Sequence, residues 1–252
     1  MLFRSIIRNG FAASMILLVA LNGPLSGQEG ASDILEVSQR MVALERAGKH
    51  AAALPWAEQA VALSEQTLGP DHPTVAVYLD HLAVLYHRLG KAAKAEPLFQ
   101  RALAIQERVL GAEAMAVSTT LNHMAKLYLT IGKRAKAESL LQRALRIREK
   151  ALGRDDPSVA AILSNLALLY GADGQYAKAE PLFQQALAIQ EKSLGPAHAN
   201  VATTLENYAH LLRTAHRPDE AAPMETRAKL IRKHVPVIRQ DQPRKAGEEE
   251  KK

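Results

Sequence analysis

Five polar side chains, Gln39, His81, His123, Asn165 and Asn207, recur at a fixed step of 42 residues. A carboxamide carries a donor and an acceptor, and a neutral imidazole carries one of each. Such a column can therefore hydrogen-bond a ligand that presents both, as a peptide backbone does. One residue earlier, a second column reads Ser38, Asp80, Asn122, Ser164 and Glu206. One turn further along stand Lys126 and His210, with Arg88 and Arg213 beyond them. Metal and acid–base chemistry are the competing uses of the nine histidines. His81 and His87 lie six apart, as do His210 and His216, which does not set two ligands squarely on one helix face. No His-Glu-x-x-His, no Gly-x-Ser-x-Gly and no paired-carboxylate pattern occurs. Gly90-Lys91 and Gly132-Lys133 lack the upstream glycine of a phosphate loop. The residues point to binding, and they nominate no catalytic residue, metal ligand or cofactor.

The elements that position these columns repeat with them. Leu-Gly recurs at Leu68-Gly69, Leu110-Gly111, Leu152-Gly153 and Leu194-Gly195, again 42 residues apart. A constant period with constant content marks a solenoid, in which each unit packs on its neighbours alone. Each unit reads as two helices. Pro73 suits a first helical position, and Val75, Leu79, Leu82, Ala83 and Tyr86 follow at helical spacing. Gly90 ends that helix, and Ala95, Leu98, Phe99, Ala102 and Ile105 mark a second one that stops at Gly111. AKAEPLFQ stands at residues 93–100 and again at 177–184, so the period reflects duplication. Gly48, Ala53, Pro55 and Ala60 align with Gly90, Ala95, Pro97 and Ala102, which reveals a degenerate earlier unit. Five helix pairs are expected over about residues 31–235. Ala83, Ala125, Ala167 and Ala209 in the first helices, and Ala102, Ala144, Ala186 and Ala228 in the second, mark close approaches. Pro55, Pro97, Pro181 and Pro223 fall inside second helices, where each removes a backbone bond and should bend the helix.

The string Gly-Lys-x-x-Lys-Ala-Glu-Pro-Leu-Phe-x-x-Ala-Leu-x-Ile, preceded by Leu-Ala-x-Leu-Tyr and Leu-Gly-Pro-Asp-His-Pro, resembles a tetratricopeptide repeat. The 42-residue step is similar to the kinesin-light-chain type. The resemblance is strong over residues 68–234 and weaker over 31–67. It implies an all-α, right-handed superhelical solenoid of about five helix pairs whose first helices line a concave face. It also implies that the residue before the Leu-Ala pair points into the groove, where the family's asparagines hold a peptide backbone. The expected peptide groove is then Gln39, Asp80, His81, Asn122, His123, Lys126, Ser164, Asn165, Glu206, Asn207 and His210. Water in a groove demands polar side chains whether or not a ligand binds. The five-fold recurrence of weakly ionic side chains in one column is what favours a protein or peptide partner. Asp80 and Glu206 against Arg88, Lys126 and Arg213 leave the charge of that partner open.

Arg4 and Arg8, the apolar run Phe11 to Leu21, the break at Asn22-Gly23-Pro24 and the small exit residues Ser26 and Gly27 form the layout of a secretory signal. Residues 1–27 are therefore expected to be a signal peptide or an uncleaved anchor, residues 28–235 the solenoid, and residues 236–252 a disordered charged tail. The expected location is exported, periplasmic or secreted, with membrane attachment only if the leader is retained. Removing Arg4 and Arg8 reduces the formal charge from +6 to +4, too little for nucleic-acid binding in a chain with 4% aromatic residues. Cysteine is absent, which excludes disulfides, thiolate metal sites and a cysteine nucleophile. Leu103, Leu145 and Leu187 give way to Lys229, Phe183 to Glu225, and Arg40 occupies the column of Leu82. These polar substitutions are expected to cap a complete array, whose exposed edges are compatible with self-stacking into a homodimer. The main expectation is thus a binding scaffold. A membrane-anchored scaffold and a metal-dependent enzyme using groove histidines are its alternatives.

Overall fold

A computed structural model describes residues 25–234, with side chains from residue 30 onward. The expected signal segment lies outside these residues except at Leu25–Gly27, where the first helix begins. The expected tail at 236–252 lies wholly outside them. Ten α-helices and no strand occur among the described residues, in five antiparallel pairs. They are α1 (Leu25–Arg46) with α2 (His50–Leu68), α3 (Pro73–Arg88) with α4 (Ala92–Leu110), and α5 (Met115–Thr130) with α6 (Arg134–Leu152). The series continues with α7 (Pro157–Ala172) and α8 (Tyr176–Leu194), then α9 (Ala199–Thr214) and α10 (Pro218–His234).

Local chemistry sets the helix ends. The turn inside each pair closes with a bond from Lys91 N to Tyr86 O (2.8 Å), repeated from Lys133 to Tyr128, Gln175 to Tyr170 and Arg217 to Leu212. This bond spans a residue in the left-handed region: Gly90 has φ 72°. In the last pair that residue is His216, with φ 60°, where a Cβ crowds the backbone. First helices begin on a capping residue. Asp156 accepts from Ser158 N at 2.8 Å, while His72 and His198 accept through Nδ1 from Thr74 N and Asn200 N. The remaining equivalent, Ala114, offers no side-chain acceptor.

The prolines do not end their helices. α2, α4, α8 and α10 run through Pro55, Pro97, Pro181 and Pro223. Each proline is exposed, so the carbonyl it leaves unpaired faces water rather than the core.

Packing is strictly local. Each helix contacts its neighbours in sequence, and first helices also touch across pairs: α3 with α5, α5 with α7, α7 with α9. Both alanine columns are buried, as are Phe99, Leu141 and Phe183 between them. Polar ties cross the same boundaries. Tyr86, Tyr128 and Tyr170 donate to Glu58, Glu96 and Glu138 of the preceding pair, at 2.6, 2.9 and 2.7 Å. Arg101, Arg143 and Arg227 each reach a glutamate of the preceding second helix (Glu65, Glu107, Glu191) and a loop carbonyl (Pro70, Ala112, Pro196). Gln185 occupies this column in the fourth pair, and Glu149 lies instead 3.8 Å from Arg154. Glu225 pairs with Arg213 of its own helix pair, and Arg40 pairs with Glu36 beneath the ring of Trp56.

Two substitutions report on the helix ends. His216→Gly relieves the left-handed strain and is expected to stabilise the chain by about 1 kcal/mol, net of glycine's greater unfolded-state freedom. Ala114→Asp supplies the absent cap to α5 and should add roughly 1 kcal/mol. Urea unfolding followed by circular dichroism checks both.

Candidate functional site

Because the backbones of successive first helices approach closely and those of successive second helices do not, α3, α5, α7 and α9 form one continuous inner wall. Two polar clefts open along it. The larger, about 500 Å³, lies between α3 and α5, where Asp80, His81 and Arg88 face Thr119, Thr120 and His123. Glu45 of α1, Gln106 of α4 and the apolar Val77, Val84 and Ala116 complete it. The second, about 270 Å³, runs from Lys126 across Ser164 and Asn165 to Thr203, Thr204 and Asn207, with Gln190 at its base. A smaller apolar hollow of about 230 Å³ is bordered by Leu168, Gly171, Asn207 and His210.

The expected groove residues are mostly on this wall, but several are engaged with each other. His123 Nδ1 donates to Asp80 Oδ2 at 2.7 Å, and Asn165 Nδ2 donates to Asn122 Oδ1 at 2.7 Å. Both bonds run 43 residues back, so they stitch adjacent first helices together. His81 Nδ1 sits 3.2 Å from the Glu45 carboxylate of the preceding pair. Asp80 and Ser164 are buried, and the Ser164 hydroxyl donates to Ala160 O within its own helix. Glu206 is held by Arg232 of α10 at 3.0 Å. Gln39 is exposed on α1 and borders neither cleft. Lys126, Asn207 and His210 have no side-chain hydrogen bond among the described residues, and they present their polar groups to the wall.

A further polar column went unnoticed in the sequence. Ser64, Gln106, Arg148, Gln190 and Arg232 stand 42 residues apart on the second helices, beside the buried Ile105, Ile147 and Ile189. Their longer members extend to the first helices, while Ser64 donates to Val61 O within its own helix. Arg148 donates to Ser118 and Thr119 at 2.9 and 2.8 Å, and Gln190 Oε1 accepts from Thr204 at 2.9 Å. A polar residue at each 42-residue step amid apolar neighbours was the available signal.

The electrostatics follow from these contacts. Burial favours the neutral ring of His81, yet the hydrogen bond to Glu45 and the charges of Glu45 and Asp80 outweigh it, so its pKa is raised. Desolvation, reinforced by the charge of Arg88, lowers that of Lys126. Desolvation likewise lowers His87, helped by Arg88 and Lys126. Among the described residues, no three His, Asp or Glu side chains converge so as to hold a metal ion. Below its unfolded pKa, His81 is charged in both states, and its pairing with Glu45 stabilises the fold fully. That contribution disappears as pH rises through the higher folded value. Glu45→Gln is therefore expected to move the His81 titration midpoint downward and to remove this acid-side stabilisation. NMR titration of the ring, together with unfolding at pH 5 and pH 8, checks both effects.

Comparison with known proteins places the whole arrangement. A Podosopora anserina protein assigned as a kinesin light chain, with nearly identical TPR-like repeats, superposes with a TM-score of 0.63 at 26% identity. The match covers 80% of this chain and 95% of that one. BtubC (BKLC) from P. vanneervenii shares the fold at a TM-score of 0.69 and 24% identity, covering 100% of this chain and 98% of its own. PilF of Pseudomonas aeruginosa shares it at 0.56 and 16%, covering 81% and 78%. No curated protein matches the sequence. The tetratricopeptide repeat family matches at residues 41–108, 78–150 and 158–232. Those segments span well over half of the sequence, and the chain belongs to the tetratricopeptide repeat family.

Proposed function

We propose that the chain is an exported scaffold whose inner wall holds an extended segment of a partner protein. Tetratricopeptide repeat proteins generally mediate protein–protein interaction, on a fold that is typically a non-enzymatic scaffold. The observation that carries the reading is the row of two polar clefts across four consecutive first helices. Their donors and acceptors sit on helices already fixed by neighbouring pairs, so binding orders little of the protein itself. An extended backbone passing along the wall would meet Lys126, Asn207 and His210, whose side-chain polar groups no neighbour uses among the described residues. Export is supported by the charged, apolar and small-residue succession across residues 1–27.

The test is a photo-crosslinking residue placed in the full chain at Thr203 on the inner wall, compared with one at Gln185 on a second helix, in the native host. Protein adducts are expected from Thr203; adducts from Gln185 alone would sink the reading. Asn207→Ala should weaken the identified partner about fivefold, the scale of one lost hydrogen bond, with helicity unchanged. Asn165→Ala is a poorer probe, because it also breaks the bond to Asn122. Mass spectrometry of the mature N-terminus decides the export component. A start near residue 28 supports it, an intact leader in the membrane fraction indicates an anchored scaffold, and an intact leader in the cytoplasm refutes it.

A further inference from the structure

We propose that the cleft between α3 and α5 is a socket for a basic side chain, guanidinium or ammonium, presented by the bound segment. The proposal deepens the groove-binding reading and rests on it. Three polar atoms in the cleft have no hydrogen-bond partner among the described residues: Asp80 Oδ1, Gln106 Oε1 and Thr120 Oγ1. Their residues are only 8%, 3% and 0% exposed, so the atoms lie just beneath the cleft surface and meet a ligand when these side chains turn toward it. All three atoms can accept a hydrogen bond, and one is a carboxylate oxygen.

The duplication within the chain supplies an internal control. Gln190 and Thr204 are the same two residues 84 positions later, and there they close on each other at 2.9 Å. In the α3–α5 cleft the identical pair is held apart, and both atoms remain unpaired. The unpaired state is thus a property of this cleft, not of the residue types.

Charge selects the ligand. Glu45 and Asp80 face the cleft from α1 and α3, against the single arginine Arg88, whose Nη1 lies 3.2 Å from His50 Nε2 of α2. His81 and His123 direct Nδ1 at the same two carboxylates, Glu45 and Asp80, and leave Asp80 Oδ1 free. An anion entering here would meet Arg88, but also two carboxylates and the unsatisfied acceptors. A guanidinium, with five N–H donors, or an ammonium, with three, would satisfy them.

The experiment titrates the full chain with butylguanidinium, butylammonium and butyrate at constant ionic strength, observed by NMR at Thr120, His123 and the Gln106 side-chain amide. At least one cation is expected to give saturable shifts there, and butyrate none; the tighter cation identifies an arginine or a lysine as the natural occupant. Gln106→Leu should weaken that cation at least fivefold while leaving the thermal midpoint equal or higher, since it deletes an unpaired buried acceptor. Asp80→Asn should weaken it further, but it also alters the bond to His123, so Gln106→Leu is the deciding variant. Equal shifts with butyrate, absence of saturation with both cations, or undiminished affinity in Gln106→Leu would overturn the socket. Cation binding without crosslinks from Thr203 would uphold the socket and refute the partner groove. Crosslinks without cation binding would do the reverse.

Discussion

One helix pair cannot bury its own apolar surface, and that insufficiency organises the whole molecule. Each pair leaves one flank of alanine, leucine and phenylalanine uncovered, and only the next pair can cover it. Ala83, Ala125 and Ala167 let first helices approach closely, while Phe99 and Phe183 fill the space the second helices leave. Truncating either phenylalanine to alanine would cost about 3–5 kcal/mol on general experience of such cavities. Since no contact reaches beyond the neighbouring pair, the burial demand is met step by step, between adjacent pairs alone. The continuous inner wall is a by-product of that repetition, and so is the regular placement of polar groups along it.

Those polar groups divide between two tasks. Some hold the wall together, as His123 does with Asp80 and Asn165 with Asn122. Others face outward without a partner. The division is not set by residue type: Asn165 is engaged, and Asn207 in the same column is not. It is set by what stands 43 residues earlier. Asn122 offers an amide oxygen to Asn165, whereas Ser164, facing Asn207, has turned its hydroxyl back to its own helix.

Most of the architecture was legible because it repeats. The step of 42 residues, the alanine columns, the glycine at the turn of the first four pairs and the degenerate first unit at Gly48 and Pro55 all reappear as stacked helix pairs. The proline column was visible too, though continuous helices on both sides show how readily exposed positions accommodate it. Contacts between columns were harder to read. A period fixes which residues are equivalent, but it does not say which column a side chain bends toward. His72 and His198 each supply an Nδ1 lone pair to a helix start, a role that their spacing does not announce. Gln106 and Gln190 stand at equivalent positions, yet Gln190 Oε1 is bonded and Gln106 Oε1 is not. Such differences depend on rotamers and packing rather than on spacing.

The glutamine at position 185 gives the array an uneven set of outer ties. Elsewhere along the outer side an arginine bridges consecutive second helices and pins the loop between them, as Arg143 does to Glu107 and Ala112. At the joint between the third and fourth pairs that bridge is missing, and Glu149 turns to Arg154 instead. Tyr170 and Asn165 still fasten the inner edge there, at Glu138 and Asn122. Lys192 on Asp155 and Arg134 on Asp173 cross the same joint, so it is held by ion pairs of a different layout, and the coil keeps its stacking without the arginine that the other joints share.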